Sequence, residues 1–336
     1  MAIRAGLVGY GLAGSVFHAP LISACERMEL AAVLTSRDAP NRVASIDELI
    51  ERSDMVVVAS PNTTHFDLAK HALEAGRHVV VDKPLTVSVN EADQLIALAT
   101  EQQRVLTVFH NRRWDSDYLT VRELLPRLGE LSLFEANWDR FRPQMKRGWR
   151  EQLEPGSGLF NDLGPHLIDQ ALQLFGMPEA VEAEIATQRP DAVVDDCFDV
   201  TLHYASRDIC LRASSLMATP RPRFAIHGTR GSFVKHGLDP QEAQLKAGVD
   251  PRSPEYGIDP QDGTLARSDG TSERMPTKRG NYLAFYDGVA AAILDGAPVP
   301  VAPQDARDGL MLIDLARRAS ELGQRLPVPA ANSPEV

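Results

Sequence analysis

Cysteine is scarce in this chain: three among 336 residues, at positions 25, 197 and 210. Three thiols this far apart give neither a disulfide framework nor a metal-ligand spacing. They read as small core residues in a reducing cytoplasm. No apolar run reaches the length that spans a bilayer. No charged-then-apolar leader precedes the first strand, so neither a membrane span nor a signal peptide is expected. Basic charge is in deficit, with 35 Lys and Arg against 46 Asp and Glu and a net charge of −11. That balance argues against nucleic acid or an anionic membrane as partner, while one local basic pocket stays permitted. Internal repeats are absent as well. What remains is a globular composition, 43% hydrophobic and 24% charged, in a chain long enough for two well-buried domains.

Against this background the first residues carry a dense signal. Ile3 to Val8 reads as a short buried strand, Gly9-Tyr10-Gly11-Leu12-Ala13-Gly14 follows, and Ser15 to Ala24 reads as a helix. Strand, G-x-G-x-x-G, helix is the context of a dinucleotide site. Gly9 permits the tight turn, Gly11 lets the backbone approach a pyrophosphate, and Gly14 lets helix and strand pack closely. Leu12 and Ala13 stand at the helix start, where amide donors and the positive end of the helix dipole favour a phosphate. The second strand, Leu30 to Leu34, ends in Thr35-Ser36-Arg37 with no carboxylate at its tip. A hydroxyl at Ser36 and a guanidinium fork at Arg37 suit a 2′-phosphate, hence NADP. Asp38, one residue later, keeps NAD as the alternative.

The first third of the chain alternates strand and helix. Met55 to Ala59 and His78 to Val81 are continuous apolar runs, as in parallel strands covered on both faces. Ser88-Val89-Asn90-Glu91 has the form of a capping box, opening a helix to about Gln102. The expected fold class is α/β: a Rossmann doubly wound parallel sheet, then an α+β domain with a large, mostly antiparallel sheet. The expected domains are residues 1–116, which bind dinucleotide, and 117–330, which bind substrate and mediate oligomers. In the second part Phe198, Val200, Leu202 and Tyr204 alternate with Asp199, Thr201 and His203, the period of a strand with one face buried. Further strands are expected near 181–187, 209–217, 223–227 and 232–236, and a hairpin over 265–275 turning on Asp269-Gly270. Helices are expected near 281–295 and 304–322.

Three segments hold candidate chemistry. Ser60-Pro61-Asn62 ends a parallel strand, where open α/β sheets bind ligands, and Pro61 offers a rigid apolar surface for a nicotinamide ring. His65 reads either as a donor behind that site or as a first-turn helix histidine without a role. Asp82-Lys83-Pro84 ends another strand, so Lys83 can hydrogen-bond a substrate hydroxyl and stabilise an alkoxide. Asp162 and His166 are i and i+4 on one helix face, with Asp169 three residues further. A carboxylate beside an imidazole fixes its tautomer and makes His166 a candidate general base. One histidine without a third clear ligand argues against a metal. Pro165 is the difficulty: if the helix opens near Gly164, the i,i+4 geometry is only approximate.

Taken together, Gly9–Gly14, Ser60-Pro61-Asn62, Asp82-Lys83-Pro84 and the Asp162…His166 pair resemble the Gfo/Idh/MocA family of oxidoreductases. Within it the chain is similar to the NADP-dependent scyllo-inositol dehydrogenases. The segments that carry this are Phe17 to Ile22, Phe109 to Asp115, Arg140 to Pro143, Trp149-Arg150-Glu151 and His227 to Phe233. The resemblance implies that Lys83 and His166 contact the reacting hydroxyl, with Asp162 alongside. The lysine motif usually reads Glu-Lys-Pro in this family, and Asp82 is one methylene shorter. The stretch between Arg37 and Asp54 looks short, so the third Rossmann strand is expected to be minimal or missing. The expected reaction is hydride transfer between nicotinamide and a CH–OH group of a cyclic polyol, with substrate and cofactor meeting between the domains. Arg113, Asp115 and Trp149 are candidate contacts for substrate hydroxyls, or interdomain packing. A sugar or sugar-acid dehydrogenase is the alternative within the family; a non-catalytic NADP-binding regulator is the alternative from another class. The family also implies a cytoplasmic homodimer or homotetramer built on the C-terminal sheet.

Overall fold

The computed structural model describes residues 2–145, 151–153 and 156–329. It contains a six-stranded sheet of β1 (Ile3–Val8), β2 (Met28–Leu34), β3 (Arg42–Val43), β4 (Met55–Val58), β5 (His78–Asp82) and β6 (Leu106–Phe109). Every pairing is parallel and the order is β3-β2-β1-β4-β5-β6, so the strand sequence reverses between β1 and β4. Loops at the carboxyl ends of those two strands flank the switch point, where such sheets take ligands. Residues 56–58 and 79–81, all valine, are fully buried, as the continuous runs require. β3 is minimal, two residues long.

Two helices covering this sheet follow local capping chemistry. Ser88 accepts a hydrogen bond from the Glu91 amide and opens the helix Val89–Glu101. The helix His65–Glu74 ends at Ala75, and Gly76 takes the left-handed conformation (φ +72°) beyond it. The helix after the glycine turn departs from expectation. Residues Ala13–His18 form a π-helical turn that continues into the α-helix Ala19–Ala24. Pro20 is the physical reason: it has no N–H to donate one turn back, and its ring crowds that carbonyl. Widening the turn, so that the Ala19 amide bonds to the Gly14 carbonyl, absorbs the mismatch.

The nine-stranded sheet comprises β7 (Leu131–Asp139), β8 (Ala180–Ala186), β9 (Cys197–Tyr204), β10 (Arg207–Ser214), β11 (Phe224–Gly228), β12 (Gly231–Lys235), β13 (Gly263–Arg267), β14 (Ser272–Met275) and β15 (Leu326–Pro327). Its order is β14-β13-β12-β11-β7-β10-β9-β8-β15, and only the β7–β10 pair is parallel. The helix Leu159–Phe175 lies against β9 and β10. Phe160, Leu163, Leu167, Ile168 and Ala171 share its core with Phe198, Val200, Leu202, Ile209 and Leu211. Burying one such phenylalanine contributes about 2–3 kcal/mol. The fold is therefore α/β, a parallel Rossmann sheet followed by a mixed, mostly antiparallel one.

Compactness divides the chain differently from a single cut at 116/117. One unit holds Met1–Leu119, Asp239–Asp259 and Lys278–Asp308; the other holds Thr120–Leu238, Pro260–Thr277 and Gly309–Val336. The late segments join the first unit because Tyr282, Phe285, Tyr286 and Val289, all fully buried, belong to the Rossmann core. A side chain from residue 109 is their neighbour: the Phe109 and Phe285 rings meet edge to face at 5.0 Å.

Candidate active site

In the first unit, three glycines do different work. Gly9 has φ +96°, and a Cβ there would stand 2.4 Å from the Ala59 carbonyl oxygen. Its amide bonds to the Leu34 carbonyl, and the Ala59 amide bonds to the Val8 carbonyl, which knits the β1 and β4 ends together. At Gly14 a Cβ would fall 2.1 Å from the Gly9 carbonyl oxygen, so helix and turn can approach only without one. Gly11 is otherwise: a Cβ there meets nothing within 4 Å. The protein's own packing does not demand glycine at 11, and the space above it suits a group arriving from outside. Ser15 closes the turn, donating from both its amide and its hydroxyl to the Gly11 carbonyl. Leu12 is exposed and Ala13 half-buried at this helix start. These features fit a pyrophosphate.

Ser36 and Arg37 stand exposed just beyond β2, and the Arg37 amide bonds to the Thr35 hydroxyl. At the end of β4, Ser60 donates to Thr64 Oγ1 (2.6 Å), because the Thr64 hydroxyl itself donates to the Pro61 carbonyl (2.8 Å). Pro61 is exposed and Asn62 half-buried. His65 is buried instead of facing out. Its Nδ1 lies 2.8 Å from the Pro84 carbonyl oxygen and its Nε2 3.1 Å from that of Ser60. It therefore stands between the β4 and β5 loops, a neutral ring donating its one N–H to one carbonyl or the other. Asp82 Oδ1 accepts the Lys83 amide (2.9 Å), Lys83 is half-buried, and the Lys83–Pro84 peptide is cis.

In the second unit the helix bearing Asp162 and His166 opens at Leu159, not near Gly164. Pro165 thus lies inside it, and the two residues stand one full turn apart on a continuous helix. The early start has a distant cause. Gly158 (φ +92°) offers no side chain to cap the helix, and Asp195 supplies one: its carboxylate accepts the Phe160 amide (2.6 Å) and its backbone carbonyl accepts Leu159 (2.8 Å). Burial pushes the Asp195 carboxyl above its usual range, against the opposing pull of Phe160 and Arg317. Asp162 is half-buried, while His166 and Asp169 are buried.

Sequence reasoning missed the row of side chains beside His166. The Trp138 ring lies 6.4 Å from the imidazole at 30°, and the Arg223 guanidinium lies 5.0 Å from Trp138 and 4.2 Å from Phe224. Arg223 donates to Gln170 Oε1 (2.7 Å), one turn after His166. A Trp within an alternating strand looks like core, and an Arg opening a strand looks like surface, so neither gave a local signal. Other candidates turn inward. Arg113 pairs with Asp305 (2.9 Å), and fully buried Asp115 accepts the Tyr282 hydroxyl (2.6 Å). Both thus have partners within the first unit, although Asp115 Oδ2 is buried without a hydrogen-bond partner. Trp149 and Arg150 lie outside the described residues. Among the described residues no cluster of three or more His, Cys, Asp or Glu could hold a metal ion. Among the described residues no helix is long and apolar enough to cross a membrane either.

Comparison with known proteins now bears on this geometry. Residues 3–110 match the family model described as oxidoreductase family, NAD-binding Rossmann fold, and residues 122–329 match its C-terminal alpha/beta domain. The chain belongs to the Gfo/Idh/MocA oxidoreductase family. Within this family it is 45% identical over 328 residues to the uncharacterized oxidoreductase YdgJ of Escherichia coli, covering 93% of this chain and 95% of that protein. It is 35% identical over 336 residues to scyllo-inositol 2-dehydrogenase (NADP(+)) IolW of Bacillus subtilis, covering 95% and 94%. The solved structure of the YPO2259 oxidoreductase from Yersinia pestis superposes with a TM-score of 0.95 at 41% identity, covering 98% of each chain. The Gfo/Idh/MocA assignment accounts for a parallel sheet of NAD-binding Rossmann type followed by a C-terminal alpha/beta domain.

Proposed function

We propose that this oxidoreductase is NADP-dependent and oxidises a CH–OH group of a cyclic polyol, an inositol of the scyllo type. The observation that carries the reading is the near full-length similarity to a protein named for that reaction and that cofactor. Bound NADP would accept or return hydride at its nicotinamide C4. Gly9, Gly11, Leu12, Ala13 and Gly14 would hold the pyrophosphate, Ser36 and Arg37 the 2′-phosphate, and Ser60, Pro61 and Asn62 the nicotinamide side.

His166 takes the hydroxyl proton at a ring nitrogen as the carbon–hydrogen bond breaks and the carbonyl forms. Asp162, one turn earlier, orients the imidazole and stabilises its protonated form. The Lys83 ammonium stabilises the alkoxide that precedes the carbonyl. Lys83 belongs to the first unit and the other two to the second, so the three are assigned together on the family resemblance. The same reading assigns cofactor to the first unit and substrate to the second. It also includes assembly of copies through the nine-stranded sheet, which light scattering of the purified protein checks.

The deciding experiment is a spectrophotometric screen of purified protein with NADP and NAD against a panel of inositols and sugars. Turnover of inositols with NADP is the expected result. Turnover of sugars alone would move the assignment to a sugar dehydrogenase. Tight NADPH binding with no turnover of any compound would favour a regulator. The cofactor preference has its own test. Arg37→Ala removes charge-assisted hydrogen bonds to a 2′-phosphate, about 2 kcal/mol or a factor of about 30 in NADP affinity. NAD binding should stay within about twofold, and equal losses for both would refute the assignment.

A further inference from the structure

Behind the Asp82-Lys83 strand end lies a buried pair of side chains that the reaction as described does not use. His18, from the π-helical turn, and Tyr286, from the helix Leu283–Asp295, are both wholly buried. His18 Nδ1 lies 2.6 Å from the Tyr286 hydroxyl, and its ring packs on Phe109 with centroids 4.4 Å apart. Its other nitrogen, Nε2, has no hydrogen-bond partner and stands 3.9 Å from Asp82 Oδ1.

The proton positions follow from what each group needs. The Tyr286 hydroxyl has one acceptor among the described residues, His18 Nδ1. If Nδ1 carried the proton, the tyrosine proton would be buried without an acceptor, and its desolvation would go uncompensated. The Nε2 lone pair would then also face the half-buried Asp82 carboxylate, an electrostatic repulsion. With the proton on Nε2 the tyrosine proton is satisfied, since Tyr286 donates to Nδ1, and the contact with Asp82 changes from repulsion to an electrostatic attraction across 3.9 Å, beyond hydrogen-bond distance. Full burial holds the imidazole in its neutral form, pulling its pKa down to about 4 against the opposing attraction of Asp82. Asp82 Oδ1, in turn, accepts the backbone amide of Lys83. A one-carbon stem keeps that carboxylate close to the strand, where His18 and the Lys83 amide converge on it.

We propose that His18, its tautomer set by Tyr286, is a positioning residue that presents Nε2–H to Asp82 and through it fixes the backbone from which Lys83 acts. This rests on the reading of Lys83 as the group that stabilises the alkoxide. The consequence for rate is one of geometry, since small misplacements of a catalytic group are costly.

Two variants separate positioning from packing. Glutamine places an amide nitrogen where His Nε2 stands, and asparagine places one where Nδ1 stands. His18→Asn should lower kcat about tenfold or more on the inositol found in the screen, with NADPH affinity and KM within about twofold. His18→Gln should recover kcat to within about threefold of the parent. Equal kcat losses in both variants, or no loss in either, would overturn the proposal. A second measurement needs no substrate, so it stands even if Lys83 proves dispensable. In protein labelled with nitrogen-15 at histidine, His18 should show the neutral Nε2-protonated tautomer at pH 7. Its Nε2 resonance should move in Asp82→Asn, and its Nδ1 resonance should move in Tyr286→Phe. An Nδ1-protonated ring, or an Nε2 signal indifferent to Asp82→Asn, would overturn the proposal independently of any rate.

Discussion

Lys83→Ala is expected to lower kcat roughly 10³-fold while leaving NADPH affinity within about threefold. The lysine sits at the end of β5, beside the switch-point loops but outside the glycine turn that would bind the pyrophosphate. A group used only as negative charge develops on the substrate oxygen contributes to the transition state and little to the cofactor complex. His166→Asn should give a loss of similar size, since it removes the proton acceptor while keeping a polar group of similar bulk. The double variant should be scarcely worse than either alone, because groups that act as a unit lose their effect together. Steady-state kinetics and fluorescence titration of NADPH check all three. Near-normal turnover in Lys83→Ala would remove the lysine from the mechanism, and strictly multiplicative losses would mean that the two act in separate steps.

Much of this arrangement is legible in residue order, and the exceptions have a common cause. The parallel strands announce themselves because residues 56–58 and 79–81 must be apolar on both faces. Ser88 and Glu91 mark a helix start because both partners lie within three residues. The start of the helix carrying His166 is hidden because its cap, Asp195, is 35 residues from the amide it satisfies. The place of Tyr282 to Val289 in the Rossmann core is hidden for the same reason: their partners lie far back in the chain. Asp115 reads as a polar contact by composition, and only the Tyr282 hydroxyl, 167 residues on, shows it to be internal. His65 and His18 belong to this class too. Each is an ordinary helix histidine by sequence, and each earns a role from a carbonyl, hydroxyl or carboxylate that a different segment brings to it. Local chemistry is thus readable in order, and satisfaction of buried polar groups across long separations is not.

The glycine turn supplies the second large effect, because its three glycines should fail in different ways. Gly14→Ala places a methyl 2.1 Å from the Gly9 carbonyl oxygen, a backbone atom that cannot rotate aside. Forcing helix and strand apart costs about 3 kcal/mol, a fall in melting temperature on the order of 5–10 °C for a protein of this size. Gly9→Ala meets the Ala59 carbonyl at 2.4 Å and must also hold a φ of +96°, so it should destabilise at least as much. Gly11→Ala meets no protein atom within 4 Å, so the melting temperature of the unliganded protein should stay within about 2 °C. Its methyl would instead intrude on the proposed pyrophosphate site, and NADPH affinity should fall about tenfold or more, about 1.4 kcal/mol. Calorimetry of the free protein and titration with NADPH give the two axes. A Gly11→Ala variant that binds NADPH normally would move the pyrophosphate away from this turn. One that unfolds without ligand would show that the protein's own packing requires glycine there. Separation of the two axes at position 11, and their joint collapse at 9 and 14, is what a turn serving both the fold and a dinucleotide demands.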